Sequence, residues 1–132
     1  MTDKILFSGT THVKGGPAGY ARSTNGVLDI ALPQPHPAAE NLFAAAWSAC
    51  FIGALELAAG QRKVALPATP EADTTIELLN RGADGFVLRA RLDIHVPGVD
   101  RDVARELVDL AHKLCPYSKA VEGNIDIELN LA

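Results

Sequence analysis

The chain has 132 residues, of which 48% are hydrophobic, and a formal net charge of −4 at pH 7. This length and apolar content predict one domain with a real core, residues 1–132. The acidic balance and the lack of a lysine and arginine stripe argue against nucleic acid as a partner. No apolar run approaches the roughly 20 residues that cross a bilayer, so no membrane partner is expected. The first residues carry no export signal, so the expected location is cytoplasmic.

The first third of the chain predicts three short antiparallel strands. Residues 4–13 alternate loosely and end at a turn of glycines and one proline, residues 15–19. A second strand is expected from about Tyr20, and the hairpin signal Asn-Gly at residues 25–26 precedes a third strand. Prolines stiffen the connector that follows, residues 33–37.

A long apolar helix is predicted over residues 38–59, with Gly60 as its C-terminal cap. Apolar side chains occupy so many positions that this helix is expected to be buried on most sides. Because one subunit of this length offers little cover for a central helix, the pattern predicts a homodimer in which two such helices share cover.

The second half of the chain predicts two strands, a helix and a last strand. Residues 74–79 and 86–96 are separated by turn formers, and the second run alternates between an apolar and a charged face. Asp100 is expected to cap a helix over residues 101–114, and alternation returns in residues 125–131. The predicted order is βββ-α-ββ-α-β, an α+β fold with antiparallel sheets around the central helix.

The two cysteines, Cys50 and Cys115, are the candidate reactive groups. Cys50 lies in the apolar helix, and Cys115 begins the run Cys-Pro-Tyr-Ser. The cytoplasm keeps thiols reduced, which favours free thiols or a transient catalytic bridge over a permanent disulfide. Alternatively, both pack as small hydrophobic side chains. The histidines form no metal-ligand set with them, and His112 is expected at a helix C terminus, where the dipole favours it.

The two cysteines lie in distinctive motifs, residues 40–51 and 112–118. Together with residues 23–29, 97–100 and 122–126, in this order and spacing, these motifs resemble the organic hydroperoxide resistance (Ohr) proteins of the Ohr/OsmC superfamily. The resemblance covers nearly the whole chain. It implies an intertwined homodimer that reduces alkyl and fatty-acid hydroperoxides as a thiol peroxidase. It also implies that the enzyme uses no metal, haem or flavin, and that a dithiol such as dihydrolipoamide re-reduces it.

By position, the resemblance makes Cys50 the peroxidatic cysteine, which attacks the O–O bond as a thiolate and becomes a sulfenic acid. Cys115 is then the resolving cysteine, which converts the sulfenic acid into a disulfide. The apolar and aromatic residues around Cys50 favour a hydrophobic peroxide over hydrogen peroxide. Because burial raises the pKa of a thiol, this nucleophile needs a cation or hydrogen-bond donors nearby.

In the family, an arginine on a glycine-rich loop supplies the cation, and a glutamate ten residues before the peroxidatic cysteine holds it. Glu40 matches the glutamate, but ten residues of continuous helix rise about 15 Å. Either the helix is broken near its start, or Glu40 serves the cysteine of the other subunit. Without the resemblance, Glu40 would be a first-turn acid that merely favours the helix dipole.

The family arginine is missing from its expected place, where this chain has Pro17 after two glycines. Arg22 on the second strand or Lys14 on the first are the candidate substitutes, although lysine lacks the planar fork of arginine. An arginine on the wet face of a strand is more often merely solvated. Without a cation, the chain would instead be a binding or sensing protein for apolar ligands or electrophiles, with weak or no turnover.

Overall fold

The computed structural model describes residues 2–35 and 38–132. The described residues up to Ala39 form one compact unit, and Glu40–Ala132 form a second. A single domain over residues 1–132 stays a prediction. Residues 36 and 37 of the predicted connector lie outside the described ranges.

The N-terminal unit contains the three predicted strands, β1 (Thr11–Lys14), β2 (Tyr20–Ser23) and β3 (Asp29–Ala31), which pair antiparallel in this order. The first strand begins later than the alternation of residues 4–13 suggested, because pairing with β2 starts at Thr11. The turn between β1 and β2 is tied down by the carbonyl of Gly16, which accepts hydrogen bonds from the N–H groups of Gly19 and Gln34.

Helix α1 (Ala38–Arg62) ends two residues beyond Gly60, so the predicted cap is wrong. The residue in the left-handed conformation is Lys63, with φ of 56°. Its N–H donates to the Gly60 carbonyl, and the next N–H, of Val64, donates to the Ala59 carbonyl. These are the two hydrogen bonds of a Schellman end. Gly60 is therefore a helical residue, and its carbonyl is one of the two acceptors.

One face of α1 is buried in the second unit, while residues on the opposite side are exposed. Leu57, on the exposed side, is 54% accessible in the single chain. The predicted burial on most sides is therefore observed for one face only, and cover from a second copy stays a prediction. The buried positions follow helical spacing and are Trp47, Phe51, Ala54, Leu55, Ala58 and Ala59.

By length and composition, α1 is the one helix in the described residues that could cross a membrane. The expectation that no apolar run reaches this length was wrong, because the few charged residues of α1 leave a long apolar window. The buried face of α1 joins one core with Leu92, Ile94 and Leu107 of the same unit. A core helix of this kind passes the same length and composition test.

The second unit adds β4 (Glu71–Asn80), β5 (Phe86–His95), α2 (Arg101–Leu114), α3 (Pro116–Val121) and β6 (Asp126–Leu131). A 3₁₀ turn, Gly82–Asp84, joins β4 to β5. The predicted order of strands and long helices is confirmed, with the short helix α3 added. The N-cap is confirmed too, since the Asp100 carboxylate accepts from the Val103 N–H at 3.4 Å.

The sheet of the second unit has the order β4-β5-β6. Strands β4 and β5 are antiparallel, but β6 runs parallel to β5, so the prediction of antiparallel sheets is wrong for this pair. The helices α2 and α3 between them supply the long crossover that parallel neighbours require. The prediction that one face of β5 is apolar and buried is confirmed at Leu92 and Ile94. It fails at the start of the strand, where Phe86 is 73% exposed.

Candidate active site

The sulfur atoms of Cys50 and Cys115 lie 3.0 Å apart. Both cysteines are free thiols. Either thiol can donate a hydrogen bond across this contact, because an S–H group rotates about its C–S bond. A disulfide bond measures about 2.05 Å, so an approach of about 1 Å would join the two sulfurs. The structure therefore brings together the two thiols that the sequence separates by 65 positions.

The position of Cys115 follows from the proline after it. Pro116 disfavours helical geometry in its predecessor, and Cys115 is extended, with φ of −65° and ψ of 117°. Cys115 therefore ends α2, while Pro116 opens α3 at a position that suits a residue without an N–H group. The Cys115 sulfur also caps α3, because it accepts from the Ser118 N–H at 3.5 Å.

The two thiols differ in access to solvent. Cys115 is fully buried, with 0% of its surface exposed. Cys50 is partly exposed. Cys50 is therefore the more accessible residue of the pair.

Cys50 packs against the hydrophobic core that contains Trp47 and Phe51. Both aromatic residues are fully buried. Phe43 contacts Trp47 edge-on, with 5.9 Å between ring centroids, and Phe51 lies 6.4 Å from the ring of His112. The apolar core against which Cys50 lies is therefore partly aromatic.

A buried hydrogen bond lies beside the thiol pair. The indole Nε1 of Trp47 donates to the hydroxyl of Ser118 at 2.9 Å, and both residues are fully buried. Sequence reasoning missed the role of Ser118 even though it belongs to the Cys-Pro-Tyr-Ser run. The available signal was the tryptophan, because a buried indole N–H requires an acceptor.

Burial raises the pKa of the Cys50 thiol above its ordinary value of 9.0, and the hydrogen bond to the Cys115 thiol raises it further. The backbone N–H of Tyr117 lowers the pKa of Cys50, because a hydrogen bond from this group stabilises the thiolate. The raising effects are the larger ones, so the thiolate is the minor form of Cys50 at pH 7.

Glu40 lies in the first turn of α1, which runs unbroken to Arg62. This excludes the expectation that the helix is broken between Glu40 and Cys50. Ten residues of helix separate them by about 15 Å, too far for contact within one chain. A role for Glu40 in the partner's site stays a prediction.

Arg22 has partners inside the N-terminal unit. Its Nε donates to the carboxylate of Asp29 at 3.1 Å, and its guanidinium lies 3.9 Å from the centre of the Tyr20 ring. The side chain remains 57% exposed. Lys14 ends β1 with an exposed side chain, and Pro17 lies in the turn after it. A catalytic role for Arg22 or Lys14 in place of the family arginine stays a prediction.

His112 lies in the last turn of α2, as predicted. Its Nε2 is 2.9 Å from a carboxylate oxygen of Glu122, and its buried Nδ1 has no hydrogen-bond partner among the described residues. Within residues 2–35 and 38–132, no group of three or more histidine, cysteine, aspartate or glutamate side chains could hold a metal ion.

The fold and site define an α+β protein whose central helix and α2–α3 junction bring two free thiols together. The family model of the OsmC-like proteins matches residues 32–130. The organic hydroperoxide resistance protein of Xanthomonas axonopodis pv. citri (strain 306) is 38% identical over an alignment that covers 98% of this chain and 97% of the relative. The chain belongs to the OsmC-like family and, within it, to the organic hydroperoxide resistance proteins.

Two solved structures show the same fold. The crystal structure of the organic hydroperoxide resistance protein OhrB of Bacillus subtilis has a TM-score of 0.86 and 37% identity, covering 97% of this chain and 100% of that one. The crystal structure of a putative organic hydroperoxide resistance protein from Vibrio cholerae has a TM-score of 0.86 and 30% identity, covering 97% and 93%. That protein holds a molecule of captopril in one of its active sites.

Proposed function

We propose that this chain is a thiol peroxidase that reduces organic hydroperoxides, with Cys50 as the peroxidatic and Cys115 as the resolving cysteine. The observation that carries the proposal is the 3.0 Å contact between a partly exposed thiol and a fully buried one. Cys50, the more accessible residue of the pair, would meet the peroxide, and the Cys115 sulfur is adjacent to the product of that reaction. The relatives named for organic hydroperoxide resistance support this role.

The first step is attack of the Cys50 thiolate on the terminal oxygen of the hydroperoxide. The O–O bond breaks, the sulfur is oxidised to a sulfenic acid, and the alkoxide leaves as an alcohol after taking up a proton. The Cys115 thiolate then attacks the Cys50 sulfur, and the S–O bond breaks with release of water. The two cysteines are left as a disulfide, so one hydroperoxide has consumed two thiols.

A dithiol completes the cycle. One of its thiolates attacks the disulfide to give a mixed disulfide, and its second thiol releases the protein as two thiols and the reductant as its own disulfide. The more exposed sulfur, Cys50, is the accessible point of attack. A dithiol suits this site because its second thiol is already tethered where the mixed disulfide forms. Dihydrolipoamide is the reductant we propose.

The proposed assembly is an intertwined homodimer in the cytoplasm, where thiols are kept reduced. Two features support a second copy as the cover. Leu57 on the open side of α1 is 54% exposed, and the N-terminal segment carries exposed apolar side chains at Ile5, Leu6 and Phe7. In this dimer Glu40 would serve the partner's site, because it is too far from Cys50 of its own chain. Arg22 is the tentative cation, and it would first have to leave Asp29.

A second candidate function is binding or sensing of apolar ligands or electrophiles with little turnover. Two observations favour it. Pro17 stands where the family carries its arginine, and the pKa of Cys50 is raised above its ordinary value. Both lower the fraction of Cys50 thiolate at neutral pH.

A coupled turnover assay distinguishes the two functions. The reduced protein is supplied with dihydrolipoamide and with either cumene hydroperoxide or hydrogen peroxide, and peroxide loss is followed over many equivalents. Because Cys50 packs against the hydrophobic core, we expect kcat/KM to be at least about tenfold higher for cumene hydroperoxide, since burying part of its ring would stabilise the complex. Consumption that stops after one equivalent or less would favour the sensing function.

A further inference from the structure

Two contacts join α1 to the start of α3, and they follow the same spacing in both segments. Trp47 lies three residues before Cys50, and Ser118 lies three residues after Cys115. Residues three apart on a helix share a face, which places Trp47 beside Cys50. The Ser118 N–H bonds to the Cys115 sulfur at the N-cap of α3. The S···S contact of 3.0 Å is therefore accompanied by the Trp47 to Ser118 hydrogen bond of 2.9 Å.

We infer that the Trp47–Ser118 hydrogen bond is a positioning device that keeps the Cys115 sulfur in reach of Cys50 for the resolving step. The inference rests on the proposed function and assigns roles to two residues that do not react. Helix α3 has six residues, which is too short to be stable in isolation, so its place depends on tertiary contacts. The bond is fully buried, so no water replaces it when it is lost.

The same bond orients the backbone around both sulfurs. The Ser118 N–H contacts the Cys115 sulfur, and the neighbouring Tyr117 N–H stabilises the Cys50 thiolate. A shift of α3 would therefore move the resolving sulfur and weaken a donor to the nucleophile together.

The chemical consequence is a competition for the Cys50 sulfenic acid. Condensation with the Cys115 thiol forms the disulfide and releases water. Attack of the sulfenic acid on a second hydroperoxide breaks another O–O bond and gives a sulfinic acid and an alcohol, and this oxidation is irreversible for most proteins. A displaced Cys115 favours the second route, so the ratio of the two products reports on positioning.

The test uses Trp47→Phe, Ser118→Ala and the double variant, with Ser48→Ala as the matched control. Ser48 lies next to Trp47, but its hydroxyl donates to Thr74 at 2.7 Å, away from the thiols. Each reduced protein is treated with excess cumene hydroperoxide, and intact mass separates disulfide from sulfinic product. We expect each single variant to raise the ratio of sulfinic product to disulfide about fivefold to tenfold, as loss of a buried hydrogen bond would. Ser48→Ala should match the wild type.

If the two residues act through one bond, the double variant should be no worse than the poorer single variant. A wild-type ratio in both folded single variants would overturn the inference, as would fully additive effects in the double variant. If circular dichroism shows that one single variant is unfolded, the ratio of sulfinic product to disulfide in the other single variant tests the inference.

A second readout does not depend on peroxide. Equilibration with mixtures of reduced and oxidised glutathione measures how readily the Cys50–Cys115 disulfide forms, and Ser118→Ala should lower this equilibrium constant about fivefold to tenfold. An unchanged constant would contradict positioning. If wild-type protein forms the disulfide with glutathione but not with peroxide, the proposed function fails while the positioning inference stands.

Discussion

Replacing Cys50 by serine is expected to abolish the reaction with organic hydroperoxides, lowering the rate by about 10³-fold or more, because a serine hydroxyl does not ionise near neutral pH. Cys115→Ser is expected to keep the first step and lose the second. It should consume one equivalent of peroxide as Cys50 becomes a sulfenic acid, form no disulfide, and consume further peroxide only as that sulfenic acid is oxidised to higher states. Stopped-flow peroxide consumption with a sulfenic-acid-specific probe measures both variants.

The different access of the two thiols to solvent is the reason for this asymmetry. Cys50 is partly exposed and can be reached first, whereas Cys115 is fully buried. Rapid peroxide reduction by Cys50→Ser would contradict the assignment of roles. If both cysteines only fill space, the two variants should instead lose thermal stability together, and no peroxide should be consumed by either variant or by the wild type.

The rate of Cys50 oxidation is expected to rise steeply with pH. Burial and the Cys115 contact raise the pKa of the Cys50 thiol above 9.0, so the reactive thiolate is the minor form at neutral pH. Below that pKa the thiolate fraction grows tenfold per pH unit, which predicts a gain of about 100-fold between pH 6 and pH 8. The second-order rate constant with cumene hydroperoxide, measured at constant ionic strength, checks this. A profile that is flat from pH 6 to 8 would mean that Cys50 is already ionised.

Pro17→Arg provides a matched test of the missing cation. A guanidinium that reaches the thiolate would lower the pKa of Cys50, so the profile should move to lower pH and the rate at pH 7 should rise by about tenfold or more. Pro17→Ala removes the ring without adding charge and should leave the pH profile in place.

Arg22→Ala tests whether Arg22 replaces the family arginine in the native chain. An unchanged rate in Arg22→Ala would mean that Arg22 of the native chain, which is bound to Asp29, takes no part in catalysis.

The order of strands and long helices could be predicted because periodicity and turn residues are local signals. The differences from the prediction arise where tertiary contacts decide. Strand β6 pairs parallel to β5 because the crossover through α2 and α3 returns the chain in that direction. Helix α1 ends with hydrogen bonds to the carbonyls of Ala59 and Gly60, and Lys63 takes the left-handed conformation.

The site could be predicted in part. The motifs around Cys50 and Cys115 identify both thiols, but only the fold brings their sulfurs to 3.0 Å. The donor from the Tyr117 backbone was not predictable, because a main-chain N–H leaves no mark in the side-chain pattern. The Trp47–Ser118 bond joins residues 71 positions apart, a distance at which periodicity carries no information.

The proposed two-cysteine cycle is best checked by the intact mass of the fully reduced wild-type protein after one equivalent of cumene hydroperoxide, followed by a peptide map. This cycle predicts a rapid loss of two hydrogen atoms that maps to a bridge between Cys50 and Cys115. Both thiols remaining free after prolonged exposure would contradict it, and the binding or sensing function would then be the better description of this chain.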